Sequence, residues 1–167
     1  MKPIKYFGLL TLIGLIFSSC QDSSLEPDPQ FVQIYLKYSF KNELNTFENT
    51  FQKDLVMDGT IKVKFWLTEN EQNEIFEKAH SVNYFAMRDT FKYTSPDSIN
   101  IIISPDPGEQ TLRIKYQSED KTTVWLYPPL ENDEEFNHLL DLRQFIIAII
   151  ESKPAYRLLP PAKGGYD

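Results

Sequence analysis

Several residue types on which protein chemistry often rests are scarce here. Of 167 residues, one is cysteine, two are histidine and six are glycine. A single cysteine closes no internal disulfide and supplies no multi-cysteine zinc site. The six glycines form no phosphate-cradling loop, and no G-x-S-x-G nucleophile elbow is present. Basic charge is also short, at 17 Lys and Arg against 24 Asp and Glu. Nucleic-acid binding needs clustered cations to neutralise phosphates, so this balance excludes it as a leading function. It equally disfavours adhesion to an anionic membrane by charge alone. What is plentiful is apolar and aromatic material, 41% and 14% of the chain. That is too much for a disordered polypeptide and enough for one packed domain.

The N-terminus carries the strongest pattern. Lys2 and Lys5 precede an apolar stretch from Tyr6 to Phe17, followed by Ser18, Ser19 and the only cysteine, Cys20. A charged start, a short apolar run and small residues before a cut describe a secretory signal. As a helix, twelve residues would reach about 18 Å, short of the ~30 Å hydrocarbon core of a bilayer. The arrangement around Cys20 resembles the lipobox of bacterial lipoproteins, with Phe17 where the commonest lipobox has Leu. That resemblance implies a signal peptide over 1–19, a diacylated Cys20 thiol, and often an acylated new amine. More than one acyl chain is what stable anchoring takes, each buried methylene contributing ~0.8 kcal/mol. The alternative is an ordinary free thiol beyond a simple secretory cut.

Residues 20–30 then read as the lipidated cysteine and an acidic tether, QDSSLEPDPQ, held extended by Pro27 and Pro29. Ten such residues reach at most about 33–36 Å. Gln21, not Asp, follows the cysteine, which by resemblance to lipoprotein sorting signals permits export to the outer membrane. Asp22, Glu26 and Asp28 resemble the acidic tracts that send some lipoproteins to the cell surface. The implied location is thus the outer membrane, on its periplasmic side or at the cell surface. Losing Lys2 and Lys5 with the signal lowers the basic count from 17 to 15, against 24 acids.

Residues 31–167 are expected to form a single α+β domain, a mostly antiparallel sheet with two main helices packed on one face. Val32, Ile34, Leu36, Tyr38 and Phe40 alternate with polar residues as in a half-buried strand. Asp58-Gly59 predicts a hairpin of about 50–57 with 60–67. Thr68 and Glu71 form a capping box that starts a helix, with Ile75, Phe76, Ala79 and Val82 as its apolar stripe and His80 pointing away. Ile99–Ile103 predicts a short strand and residues 104–108 a rigid loop. Leu112 and Ile114 match Val124 and Leu126 through a three-residue turn at 118–120, which would place Ile114 opposite Val124 and Arg113 opposite Trp125. Asn132 is the expected cap of a helix ending near Ser152, before Pro154, with Phe145 and Ala148 making its second half apolar nearly all round. Tyr156, Leu158 and Leu159 should pin the tail, and Gly164-Gly165 should be flexible.

The stretch ELNTFENTFQKDLVMDGTIKVKFWLTENE, residues 43–71, and the ending YRLLPPAKGGY, residues 156–166, resemble a group of small bacterial lipoproteins. The shared features are an ELxTF…KD segment, an LT-x-x-E helix start and a C-terminal LP…GGY. No activity attaches to that group, so the resemblance transfers no catalytic or binding residue. It implies an anchored envelope protein.

Several constellations bear on function. Glu134, His138 and Asp141 fall at i, i+4 and i+7 of one helical face, a spacing that can present metal ligands or hydrolytic groups. A solvated helical stripe explains it as well, and neither a metal nor a cofactor is expected. Carboxylate pairs such as Asp54 with Asp58, or Glu134 with Glu135, sit where turns and helix starts favour acids anyway. Arg143 lies inside the apolar arc of its helix, where a charge must snorkel or find a carboxylate. Trp66, Arg113, Lys115, Trp125 and Tyr127 alternate outward as a mixed aromatic and cationic face, of the kind that stacks sugars or docks proteins. The expected function is therefore a non-catalytic, lipid-anchored binding or accessory protein with a protein or glycan partner. An envelope hydrolase and a purely structural lipoprotein are the alternatives.

Overall fold

A computed structural model describes residues 31–92, 108–126 and 132–166. The elements run β1 (Gln33–Tyr38), β2 (Asn42–Asn45), β3 (Thr50–Asp54), β4 (Thr60–Lys64), α1 (Glu69–Ser81), a single 3-10 turn at Tyr84–Ala86, β5 (Thr90–Phe91), β6 (Gln110–Tyr116), β7 (Glu119–Trp125), α2 (Glu134–Ser152) and the short α3 (Pro154–Arg157). The seven strands make one sheet in the order β4-β3-β2-β1-β6-β7-β5. Every pairing is antiparallel except that of β5 with β7. The α+β class with a mostly antiparallel sheet is thus present. The expected strand at 99–103, most of the loop at 104–108, and Tyr127 lie outside the described residues.

One face of the sheet is apolar because alternation makes it so. Val32, Ile34, Leu36 and Tyr38 are buried, and the pairings align Ile34 with Ile114 and Leu36 with Leu112 and Leu44. Ile75 and Ala79 of α1 and Leu139, Leu142, Ile146 and Ile150 of α2 complete one cluster over this face. Tyr84 is fully buried there, and its hydroxyl donates to the Leu112 carbonyl at 2.6 Å. Burial pushes that phenol well above its ordinary pKa.

Three departures from expectation have local causes. β2 has no counterpart in the sequence reading, because Leu44 is its only apolar residue and a period of two has nothing to repeat. The hairpin across Asp58-Gly59 is shorter than 50–57 with 60–67. It pairs Phe51 with Val63 and Asp54 with Thr60, leaving Leu55–Gly59 as the loop. Phe40 turns out of β1 at φ 64 and stacks on Tyr166 at 4.0 Å.

The β6–β7 register is a correction. Tyr116 pairs with Glu119 around a two-residue turn, Gln117-Ser118, with Gln117 at φ 51. Ile114 then faces Lys121, and Trp125 faces Gln110 rather than Arg113. Shifting parity by one residue turns every β7 side chain over. Thr123 and Trp125 are buried, at 0% and 3% exposure, while Leu126 is 40% exposed. Burying an indole removes more apolar surface from water than burying the leucine would.

The helices largely follow their caps. Both capping-box hydrogen bonds between Thr68 and Glu71 are present. For α2 the cap is Asp133, which accepts from the Phe136 amide at 3.0 Å, and not Asn132. Asn132 instead accepts from the Asn137 side chain. Pro154 ends α2 and opens α3, a position that needs no amide hydrogen. Ala148 is exposed, so the second half of α2 buries one side, not nearly all round. Arg143 sits at the core rim, donating to Ser39 Oγ at 3.2 Å and lying over the Tyr38 ring.

Beyond α3 the tail crosses the β3–β4 loop. Tyr156 meets Phe51 edge-on, and Leu159 packs on the core, but Leu158 is 85% exposed and pins nothing. Val56 and Lys163 form a parallel bridge, the Lys163 ammonium reaches Asp58, and Tyr166 bonds to Asp54. Gly164, at φ +80, lies so close to Met57 that a β-carbon would stand 2.8 Å from its sulfur. The two stretches that carry the family resemblance are therefore in contact with each other.

Candidate binding surface

The sheet's second face carries the polar half of every alternation. The pairings align Thr122, Arg113, Tyr35, Asn45, Thr50 and Lys64 in one row across six strands. A parallel row holds Val124, Thr111, Lys37, Glu43, Gln52 and Lys62. These side chains are half-buried by one another or exposed, except Thr50, which is buried.

Arg113, Glu43 and Lys62 on this face already have side-chain partners. Arg113 makes a two-pronged bond to Asp120, at 2.8 and 2.7 Å, and lies over the Phe47 ring. The Arg113 bonds hold the Asp120 carboxyl below its ordinary range. Tyr35 donates to Glu43 at 2.9 Å, and burial followed by that carboxylate pushes its phenol up to about 12. Lys62 pairs with Glu48 at 3.3 Å.

The residues singled out from sequence are only partly brought together. Arg113 and Lys115 lie on this face, with Lys115 opposite Gln33. Trp66 continues the outward alternation past β4 and is 59% exposed. It stands four strand spacings from Arg113, about 19 Å, so the two do not share a patch. Trp125 belongs to the core, and Tyr127 lies outside the described residues. Tyr35, Glu43 and Phe47 were missed, although the alternation that buries Ile34 and Leu36 already put Tyr35 on the polar side.

A groove of about 580 Å³ lies at the start of α2, lined by Val82, Asn83, Ala86, Met87, Asp133, Glu134, Glu135 and His138. Arg88 binds Glu135 through its amide and Nε, at 2.6 and 3.0 Å, and also Asp133. Glu134 and His138 line this groove, whereas Asp141 is held by Lys78 at 2.5 Å. The spacing of three on one helix face therefore does not become a three-residue cluster. Among the described residues no group of three His, Cys, Asp or Glu is placed to hold a metal. The other histidine, His80, faces outward as expected, but it is held by Glu119 at 3.0 Å and by the rings of Phe76 and Phe85. Asp54 and Asp58 are occupied by Tyr166 and Lys163.

No protein-family model matches the chain, and no curated protein matches it.

Proposed function

We propose that this chain is a lipid-anchored protein of the bacterial envelope, tethered through Cys20, that presents its polar sheet face to a partner and catalyses no reaction. The observation that carries the anchor is the run of Lys2 and Lys5, the apolar Tyr6–Phe17 stretch, and Ser18-Ser19 directly before the only cysteine. None of the described helices is long and apolar enough to cross a membrane. The binding role draws support from the row through Arg113 and Tyr35, which are bonded to Asp120 and Glu43 and aligned by register. A protein or a glycan meets such a surface equally well.

The test is incorporation of radiolabelled palmitate into the full-length protein expressed in a Gram-negative host. Wild type should be labelled and should partition with membranes. Cys20→Ala should lose the label and leave the membrane fraction. Equal labelling of both would defeat the anchor.

A further inference from the structure

The sheet ends in two unlike edges. β5 offers two residues, whereas β4 offers five and is continued by Phe65 and Trp66. Hydrogen bonds on either side of the hairpin fix which way the β4 backbone faces. Phe65 N–H donates to the Asn49 carbonyl at 2.9 Å, and Leu55 N–H donates to the Gly59 carbonyl at 2.8 Å. Antiparallel strands alternate between bonded and non-bonded pairs. Positions 59, 61, 63 and 65 therefore bond inward to β3, and Thr60, Lys62 and Lys64 turn their amides and carbonyls outward. All three are exposed. From Thr60 to Trp66 this edge, about 20 Å long, is unpaired among the described residues.

We propose that β4 is a docking edge for an extended acidic segment of a partner protein, which adds to the sheet as an eighth strand. The inference deepens the binding role proposed above and rests on it. The side chains specify the guest. Those of Lys62 and Lys64 lie on the polar face, with Trp66 next in line, and those of Ile61 and Val63 lie half-buried on the helix face. A strand alternating carboxylates with aliphatic residues would place acids beside the two lysines and cover Ile61 and Val63. A second copy of this chain fits badly. Pairing β4 with itself sets lysines against lysines, which is how natural sheets discourage self-association at an edge. The chain as a whole is acidic, with 24 acids against 17 bases, so a strip presenting two lysines stands out within it. Glu48 is the carboxylate now beside Lys62, and an incoming acid competes with it.

The probe is a capped nine-residue peptide alternating Glu with Val, with a Lys/Val peptide of the same design as control. Both are titrated to 1 mM into isotope-labelled full-length protein in detergent. The Glu peptide should slow amide exchange at Thr60, Lys62 and Lys64 by tenfold or more, and the Lys peptide should not. Glu48→Gln should tighten binding, and Lys62→Glu with Lys64→Glu should exchange the preference between the two peptides. Lys62→Pro, which removes an outward amide and no inward one, should weaken binding at least tenfold. Equal protection by both peptides, or none by either, overturns the docking edge. Shifts centred on Tyr35 and Arg113 overturn it while leaving the binding role of the open face intact. Palmitate labelling remains a separate readout.

Discussion

The Tyr166 hydroxyl donates to Asp54 Oδ2 at 2.6 Å, joining residues 112 positions apart. Asp54 is only 6% exposed, and its other oxygen accepts from the Val56 amide. That second bond helps hold Val56 at φ 61, a left-handed conformation that β-branched residues seldom adopt. The tail is therefore part of the β3–β4 loop's structure and not a loose end. Removing the phenol oxygen leaves Asp54 with an unpaired, nearly buried oxygen. Tyr166→Phe keeps the stack on Phe40 and should lower the urea denaturation midpoint. An unchanged midpoint would show that the tail is not docked in solution.

Glu71 serves two elements at once. Its carboxylate accepts from the Thr68 amide at 2.7 Å, closing the capping box, and from Lys153 at 2.9 and 2.7 Å, tying the start of α1 to the end of α2. Burial pushes its pKa up, but the Lys153 ammonium and the Thr68 bonds outweigh this and hold it below the usual glutamate value. A carboxyl depressed on folding stabilises the fold above its unfolded pKa, about 4.3, and loses that contribution as pH falls through the lower folded value. Glu71→Gln preserves a capping box but not the charge. It should cost about 1–2 kcal/mol at pH 7, with the difference from wild type shrinking below about pH 4. A gap independent of pH between 7 and 3 would mean that the ion pair contributes nothing.

Trp125 and Leu126 separate the register seen from the register expected. With Trp125 at 3% exposure and Leu126 at 40%, Trp125→Ala should cost about 3–5 kcal/mol and Leu126→Ala within about 0.5 kcal/mol. The opposite ranking, read from denaturation midpoints, would restore the three-residue turn. This pair also marks how far the sequence could be read. Strongly periodic elements were legible: β1 from Ile34 and Leu36, α1 from Thr68 and Glu71, and α2 up to Pro154. β7 was not, because Thr122 to Leu126 places apolar residues at three consecutive positions, 124–126, and both parities satisfy the pattern. The turn chemistry decides between them, and Gln117 at positive φ is not a residue that announces it. The binding face suffered from the same ambiguity. Once β7 turns over, Trp125 leaves the face, and Tyr35, aligned with Arg113, takes its place in the cross-strand row.

Arg143 is the last residue whose placement makes a quantitative demand. The wheel puts it within the apolar arc of α2, and it lies at the core rim with no carboxylate paired to it among the described residues. Its Nε is buried and has no hydrogen-bond partner among the described residues, and burial lowers the pKa of the guanidinium. The bond to Ser39 and the Tyr38 ring compensate in part. An unpaired buried donor costs about 1–3 kcal/mol, whereas the aliphatic stem contributes by packing. Methionine keeps a stem of similar length and removes the polar atoms. Arg143→Met should therefore be neutral or stabilising, by up to about 1 kcal/mol, and Arg143→Ala should be destabilising. The two variants isolate charge from packing. If Arg143→Met instead costs more than about 1 kcal/mol, the guanidinium holds a partner that its contacts to Tyr38 and Ser39 do not account for.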